Sequence, residues 1–285
     1  MNDKIYLVTG ANSGIGKVTA RALAAEGAAV MMVCRDREKG EAARGEIVRE
    51  TRNQNVELLL ADFSDLNQIR RLAAEVKAKT PRLNALVNNA GAYNSERTLT
   101  ADGYETTFGV NHLGYFLLTA ELLDLLKSSA PSRVVNVASE AHRNAHIQFE
   151  DLNLKNGYGG WKAYTQSKLA NILFTYELAR RLEGTRVTAN CMHPGVVNTN
   201  FLNGMRGVLG ALARPFSIFM RTPEKGADTI IWLASSPEVE GDSGKYFVDR
   251  KPKQSNPESY DREVAARLWD VSEKMVSDMG AVPRA

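Results

Sequence analysis

Seven short apolar runs recur along this chain, and a stretch of helix length separates each from the next. "KIYLVTG" (4–10), "AAVMMVC" (28–34), "VELLLAD" (56–62), "LNALVNN" (83–89), "RVVNVAS" (133–139), "RVTANCMHPG" (186–195) and "GKYFVD" (244–249) read as strands. Their near-continuous hydrophobicity, in place of strict alternation, suits strands buried on both faces of a parallel sheet. The intervening segments 14–26, 38–52, 65–79, 101–128, 161–183 and 223–236 carry helical patterns. Parallel neighbours need long crossovers, and helices supply them on both faces, so the pattern specifies a doubly wound α/β sheet. No Pro/Gly/Ser-rich linker and no repeat divides the 285 residues, and one domain over 1–285 is the economical organisation. Two segments stand outside the alternation: 196–222, long, apolar and weakly periodic, and 257–279, which reads as a C-terminal helix.

Composition narrows the partners. Hydrophobic residues make up 44% and charged residues 24%, the balance of an ordinary globular protein. A net charge of +3 is too small to point to nucleic acid or an anionic membrane. The opening "MNDKIYLVTG" has no signal-peptide pattern, and no run approaches the roughly 18 apolar residues of a spanning helix. Cys34 and Cys191 lack metal or redox spacing and read as small buried thiols. A cytoplasmic protein is expected.

The first strand runs directly into "TGANSGIGKVTARALAAEG", with Gly10, Gly14 and Gly16 in the spacing G-x-x-x-G-x-G. Three glycines alone are a weak signal. Placed between a strand and an amphipathic helix, they let the chain turn tightly and bring backbone N–H groups to a pyrophosphate at the helix N-terminus. The second strand ends beside the adenine ribose in such a fold, and its last residues select the cofactor. An acidic side chain there accepts from the 2′-hydroxyl of NAD, whereas a guanidinium suits the 2′-phosphate of NADP. Here "VCRDREK" gives Arg35 first, then Asp36, and Lys17 lies just past Gly16. The basic pair favours NADP(H); Asp36 leaves NAD(H) as the weaker option.

"YGGWKAYTQSK" contains Tyr-x-x-x-Lys twice, as Tyr158/Lys162 and as Tyr164/Lys168. The spacing means something only where a helix puts both side chains on one face. Tyr158 is followed by two glycines in a stretch with loop chemistry, while Tyr164 opens a strong amphipathic pattern. The second pair is therefore the candidate, with Ser139 at the end of the fifth strand as its third member. A free phenol titrates near about 10, so proton transfer near neutrality needs roughly 4 kcal/mol of help for the phenolate. A nearby ammonium and an oxidised nicotinamide both act in that direction.

The ordered set "TGANSGIG", "NNAG" (88–91), "VNHLG" (110–114), Ser139, "YTQSK" and "HPGVVNT" resembles the short-chain dehydrogenase/reductases over nearly the whole chain. "CRD", "NHLGYFLLT", "SKLANILF" and the 25-residue gap from Ser139 to Tyr164 are similar to the retinol dehydrogenase-like branch. That resemblance implies a single-domain Rossmann fold with a seven-stranded parallel sheet ordered 3-2-1-4-5-6-7. It makes Tyr164 the acid in reduction and the base in oxidation, Lys168 its pKa-lowering partner and ribose contact, and Ser139 the donor to the substrate carbonyl. Asn111 would hold a water that links Lys168 to solvent. Gly10, Asn12, Ser13, Gly14, Ile15 and Gly16 would bind the diphosphate side, with Lys17 and Arg35 at the ribose 2′-phosphate and Asp62 and Phe63 at the adenine edge. Asn89, Ala90 and Gly91 would line the cleft, and Pro194, Gly195, Val197 and Thr199 would cradle the nicotinamide end. Helices 101–128 and 161–183 form the usual oligomer interface of this family, which makes a homodimer or homotetramer one expectation, while monomers and membrane-associated members also occur in it.

The four histidines, His112, His142, His146 and His193, make no convincing metal set, and His142 lies in the loop after Ser139, within reach of a substrate. By the same resemblance the segment 196–222 occupies the place of the family's substrate lid, with core packing against the sheet or an oligomer contact as the alternative. It carries Phe201, Leu202, Met205, Val208, Leu209, Leu212, Phe216, Ile218, Phe219 and Met220, with few polar groups to pin a sugar or an acid. Such a lid suits a lipophilic aldehyde, ketone or alcohol, and Arg206, Arg214 and Arg221 leave peripheral membrane contact open. The competing readings are an NAD-linked dehydrogenase of polar alcohols, a ketoacyl-type reductase, a tetrapyrrole reductase, and a nucleotide-sensing protein without turnover.

Overall fold

The computed structural model describes residues 3–196 and 221–277. The strands are β1 (Ile5–Thr9), β2 (Ala29–Cys34), β3 (Val56–Leu60), β4 (Ala85–Asn88), β5 (Ser132–Val137), β6 (Val187–His193), β7 (Tyr246–Val248) and β8 (Lys251–Lys253). They form one sheet in the order β3-β2-β1-β4-β5-β6-β7-β8. The first seven run parallel, with Val8 opposite Met32 on one side and Val87 on the other, and Val87 opposite Val135. All four β4 side chains are buried, as a central parallel strand requires. The strand order reverses between β1 and β4, which opens a ligand crevice at their carboxyl ends.

The helices are α1 (Gly14–Ala25), α2 (Arg37–Thr51), α3 (Leu66–Lys79), the short α4 (Thr106–Phe108), α5 (Gly114–Ser128), α6 (Gly160–Arg181), α7 (Pro223–Ser235) and α8 (Arg262–Ser277). Two apolar layers sandwich the sheet. One gathers residues of α3, α5, α6 and α8 around Leu86, Phe116, Leu173 and Leu268. The other gathers residues of α1, α2 and α7 around Val8, Leu23, Ile47 and Ile230.

Three departures from the sequence reading have local causes. An eighth strand, β8, pairs antiparallel with β7 at the sheet edge. Its residues Lys251, Pro252 and Lys253 are all exposed, so no apolar pattern announces it, and lysine and proline guard the free edge. The helix expected from 101 begins at Thr106, because Glu105 turns its carboxylate onto the N–H groups of Thr107 and Phe108, at 2.9 and 2.8 Å. Between α4 and α5 the chain passes through a π-helical turn, Gly109–Leu113.

Helix α8 confirms most of the C-terminal expectation and lies across α5 and α6. Trp269 packs its ring on Phe116 (4.9 Å between centroids) and Phe174 (5.8 Å), with the Arg181 guanidinium over its other side at 4.2 Å. His112 joins Ser272 across 2.8 Å, and Tyr104 donates its hydroxyl to the Met275 carbonyl at 2.6 Å. Of the expected lid, residues 197–220 lie outside the described residues. Among the described residues no helix is long and apolar enough to cross a membrane.

Candidate active site

The glycine turn is a feature of close backbone approach. Gly10 has φ +66°, and a Cβ there would stand 2.9 Å from Ala90 Cα. A Cβ on Gly16 would collide with the Gly10 carbonyl, and Gly14 has φ +53°. Any side chain at these positions would push the loop off the end of β1. Thr9 and Asn89 stitch this turn to the loop after β4. The Thr9 hydroxyl accepts from the N–H groups of Asn89 and Ala90, at 2.8 and 3.0 Å, and the Asn89 amide donates to the Thr9 carbonyl at 2.8 Å.

Helix α1 then opens on the exposed, extended Ser13, whose side chain makes no capping bond, and no acidic residue occupies its first turn. Unspent N–H groups with the positive end of the helix dipole suit a diphosphate, with Asn12 and Ile15 on the same turn. The residues present therefore fit a dinucleotide.

At the end of β2, Arg35 is exposed. Asp36 is committed elsewhere: its carboxylate caps α2 by accepting from Lys39 N at 3.0 Å, and it also pairs with the Lys39 ammonium at 3.3 Å. Lys17, expected to add a second charge, is instead ion-paired with Glu46 on α2. Asp62 holds the N–H and hydroxyl of Ser64, at 2.9 and 2.7 Å. Phe63 departs from expectation, since its buried ring packs in the core where Gly114 leaves room for it.

On the other side of the crevice, α6 carries Tyr164 and Lys168 on one face, and β5 delivers Ser139 just past its end. Lys168 is buried and donates to the Val137 carbonyl at 3.0 Å, with its Nζ 5.7 Å from the Tyr164 ring centre. Gly91 borders that ammonium: a Cβ there would make ordinary contact, 3.9 Å from Lys168 Nζ and 3.4 Å from Asn111 Oδ1.

The electrostatics differ from the sequence expectation. Burial pushes the Tyr164 phenol up to about 12, against a smaller opposing pull from its hydrogen bond with Ser139. Burial also brings the Lys168 ammonium down to about 8. Desolvation is the largest influence on both groups.

Asn111 sits in the π-helical turn with its side chain fully employed. Its amide donates to the Ala92 carbonyl and to Ser167 Oγ, both at 3.0 Å, and its oxygen accepts from Ala92 N at 2.7 Å. Both amide hydrogens are spent on protein atoms, so this side chain ties the loop after β4 to α6 beside Lys168.

One contributor had no usable signal in the sequence. The Val137 acceptor is a main-chain carbonyl, for which side-chain identity is silent. His142, already singled out in the loop after Ser139, is buried, and its Nδ1 lies 2.5 Å from the Ser139 carbonyl, which fastens that loop. Asn256 fastens the same loop, donating to the carbonyls of His142, Arg143 and Ala145 at 2.8–3.0 Å. His146 departs toward Glu258, at 2.6 Å, and His193 accepts from Glu140 N at 3.1 Å. Among the described residues no group of three His, Cys, Asp or Glu side chains is disposed to hold a metal.

Pro194 and Gly195 follow β6, with Gly195 at φ +86° against the Arg221 side chain. Val197 and Thr199 lie outside the described residues.

Known proteins share this arrangement. A model of the short chain dehydrogenase family matches residues 4–207. Mouse retinol dehydrogenase 14 is 49% identical over 97% of this chain and 86% of its own length. Human retinol dehydrogenase 13 is 46% identical over 96% of this chain and 84% of its own. Among solved structures, an uncharacterized protein from Mycobacterium paratuberculosis has a TM-score of 0.78 at 36% identity, covering 96% of this chain and 93% of its own. A short chain dehydrogenase from Escherichia coli CFT073 complexed with NADPH has a TM-score of 0.69 at 26% identity, covering 88% of this chain and 98% of its own. With its glycine turn, its sheet order and its Ser–Tyr–Lys cluster, the chain belongs to the short-chain dehydrogenase/reductase family, in the retinol dehydrogenase-like branch.

Proposed function

We propose that this protein is an NADP(H)-dependent oxidoreductase that interconverts a lipophilic aldehyde or ketone with its alcohol, with Tyr164 as the acid/base. The observation that carries the reading is the meeting of Tyr164, Ser139 and buried Lys168 beside a glycine turn fitted to a dinucleotide. The cofactor supplies the hydride. Gly10, Gly14, Gly16 and the first turn of α1 would hold its diphosphate, Asn89, Ala90 and Gly91 the cleft wall, and Pro194 and Gly195 the nicotinamide end.

The protein's own groups handle the proton and the developing charge. A neutral phenol is the form that donates, and burial keeps Tyr164 in that form. As negative charge grows on the carbonyl oxygen, the Ser139 hydroxyl and the phenol can donate to it together. The Lys168 ammonium stands behind the phenol to stabilise the phenolate that is left.

NADP(H) is preferred because Asp36 is engaged in capping α2 while Arg35 remains exposed at the strand end. The apolar character of 196–222 supports a lipophilic substrate. The relatives' designation as retinol dehydrogenases makes retinoids candidates for it. The reduced, buried Cys34 and Cys191 support a cytoplasmic location as part of the same proposal.

Initial rates with NADPH and NADH on a panel of lipophilic and polar carbonyls, retinal included, test the reading. Turnover preferring NADPH and lipophilic aldehydes is expected. Tight NADPH binding with no turnover across the panel would move the protein to the nucleotide-sensing class.

A further inference from the structure

Helix α6 begins unusually close to the loop that follows β4. A Cβ on Gly160 would run into the Asn94 carbonyl and stand 3.0 Å from Ser95 Cα and 3.1 Å from the Tyr93 hydroxyl. Tyr158, just before the helix, donates to that same Asn94 carbonyl at 2.9 Å. This approach brings two rings against that of Tyr164. Tyr93 meets Tyr164 edge-on, with centroids 6.0 Å apart and planes at 70°, and Trp161 lies 5.9 Å from Tyr164 at 33°. Trp161 is nonetheless 55% exposed, one of the few large apolar side chains left in water among the described residues.

Trp161 stands one helical turn before Tyr164 with its indole against that ring, so a substrate seated at Tyr164 passes next to it. Aromatic faces stack best on flat apolar groups. We infer that Trp161, with Tyr93 opposite, forms an aromatic subsite for the flat, aryl or conjugated body of the carbonyl substrate. It deepens, and rests on, the function proposed above. Trp161 acts there as a specificity-determining residue, contacting the part of the substrate that does not react.

The test compares wild type, Trp161→Ala and Trp161→Phe on naphthaldehyde and propanal, with NADPH and with NADH. Naphthaldehyde kcat/KM is expected to fall by about 10- to 100-fold more than propanal kcat/KM in Trp161→Ala, mainly through KM. Trp161→Phe is expected to recover most of it, and unchanged NADPH affinity and Tm mark an intact fold. Equal losses on both aldehydes, no loss, or a changed elution volume in place of changed selectivity would overturn the subsite. Quenching of protein fluorescence by naphthaldehyde separates the two levels. If wild type turns over neither aldehyde, the proposed function fails, and quenching that is weaker in Trp161→Phe still supports the subsite. Equal quenching in both proteins sinks it.

Discussion

Tyr158 with Lys162 and Tyr164 with Lys168 repeat one spacing six residues apart, and the fold uses them for opposite purposes. The boundary of α6 at Gly160 separates them. Tyr158 lies before it, its hydroxyl bound to the Asn94 carbonyl and 3.3 Å from the Glu105 carboxylate, while Lys162 is exposed. Tyr164 and Lys168 lie inside the helix, one turn apart, facing the crevice with the ammonium buried. A tyrosine anchored to an acceptor and beside a carboxylate is held away from phenolate; burial and Glu105 push it up to about 12. Tyr164 reaches a similar value through burial alone, and its neighbours are a hydroxyl and an ammonium, which favour proton release once charge develops. The same spacing becomes a buried cluster beside Ser139 or a loop fastener according to what surrounds it.

The comparison breaks first if the two tyrosines prove interchangeable. Tyr164→Phe is expected to lower kcat by about 10²–10⁴-fold in either direction, measured by nicotinamide absorbance, with cofactor binding retained. Lys168→Met should cost about 10- to 100-fold in kcat, whereas Lys162→Met should leave the rate within a factor of about two.

Lys168 also leaves a signature in stability. Its folded value is about 8 against an ordinary 10.5. Between those limits the unfolded chain holds the proton and the folded one does not, so this group makes stability rise with pH across that window. Chemical denaturation at pH 8 and pH 10.5 should show the wild type gaining relative to Lys168→Met. A parallel pair of curves would contradict the buried, desolvated amine.

Arg35→Ala is expected to raise the KM for NADPH about tenfold and leave that for NADH nearly unchanged. The smallest effect belongs to Tyr158→Phe. Losing its hydrogen bond should lower stability by about 1 kcal/mol, read from the denaturation midpoint, with turnover inside about threefold of wild type.

The sheet and the catalytic cluster were legible because both are written locally. Apolar runs mark β1 to β7, and glycines mark the turn after β1 because no other residue tolerates φ +66° with a backbone 2.9 Å away. Tyr164 was separable from Tyr158 through the glycines that delay the helix. What escaped is written in long-range contacts. The engagement of Lys17 by Glu46 spans 29 residues, and the grip of Asn256 on the loop after Ser139 spans 111 to 114. The Tyr164 value escaped for another reason. Spacing reveals a neighbouring ammonium but not the depth of burial, and burial is the stronger influence here.

Helix α8 has a consequence for how the molecule is made. Phe116 and Phe174 leave the ribosome long before Trp269, the residue that roofs them. Until then the growing chain carries an unroofed aromatic seam, a surface that chaperones hold and that sticks to its own kind. A message cut short before α8 therefore yields a chain that encodes the sheet and the Ser139–Tyr164–Lys168 cluster but leaves the seam of Phe116 and Phe174 unroofed.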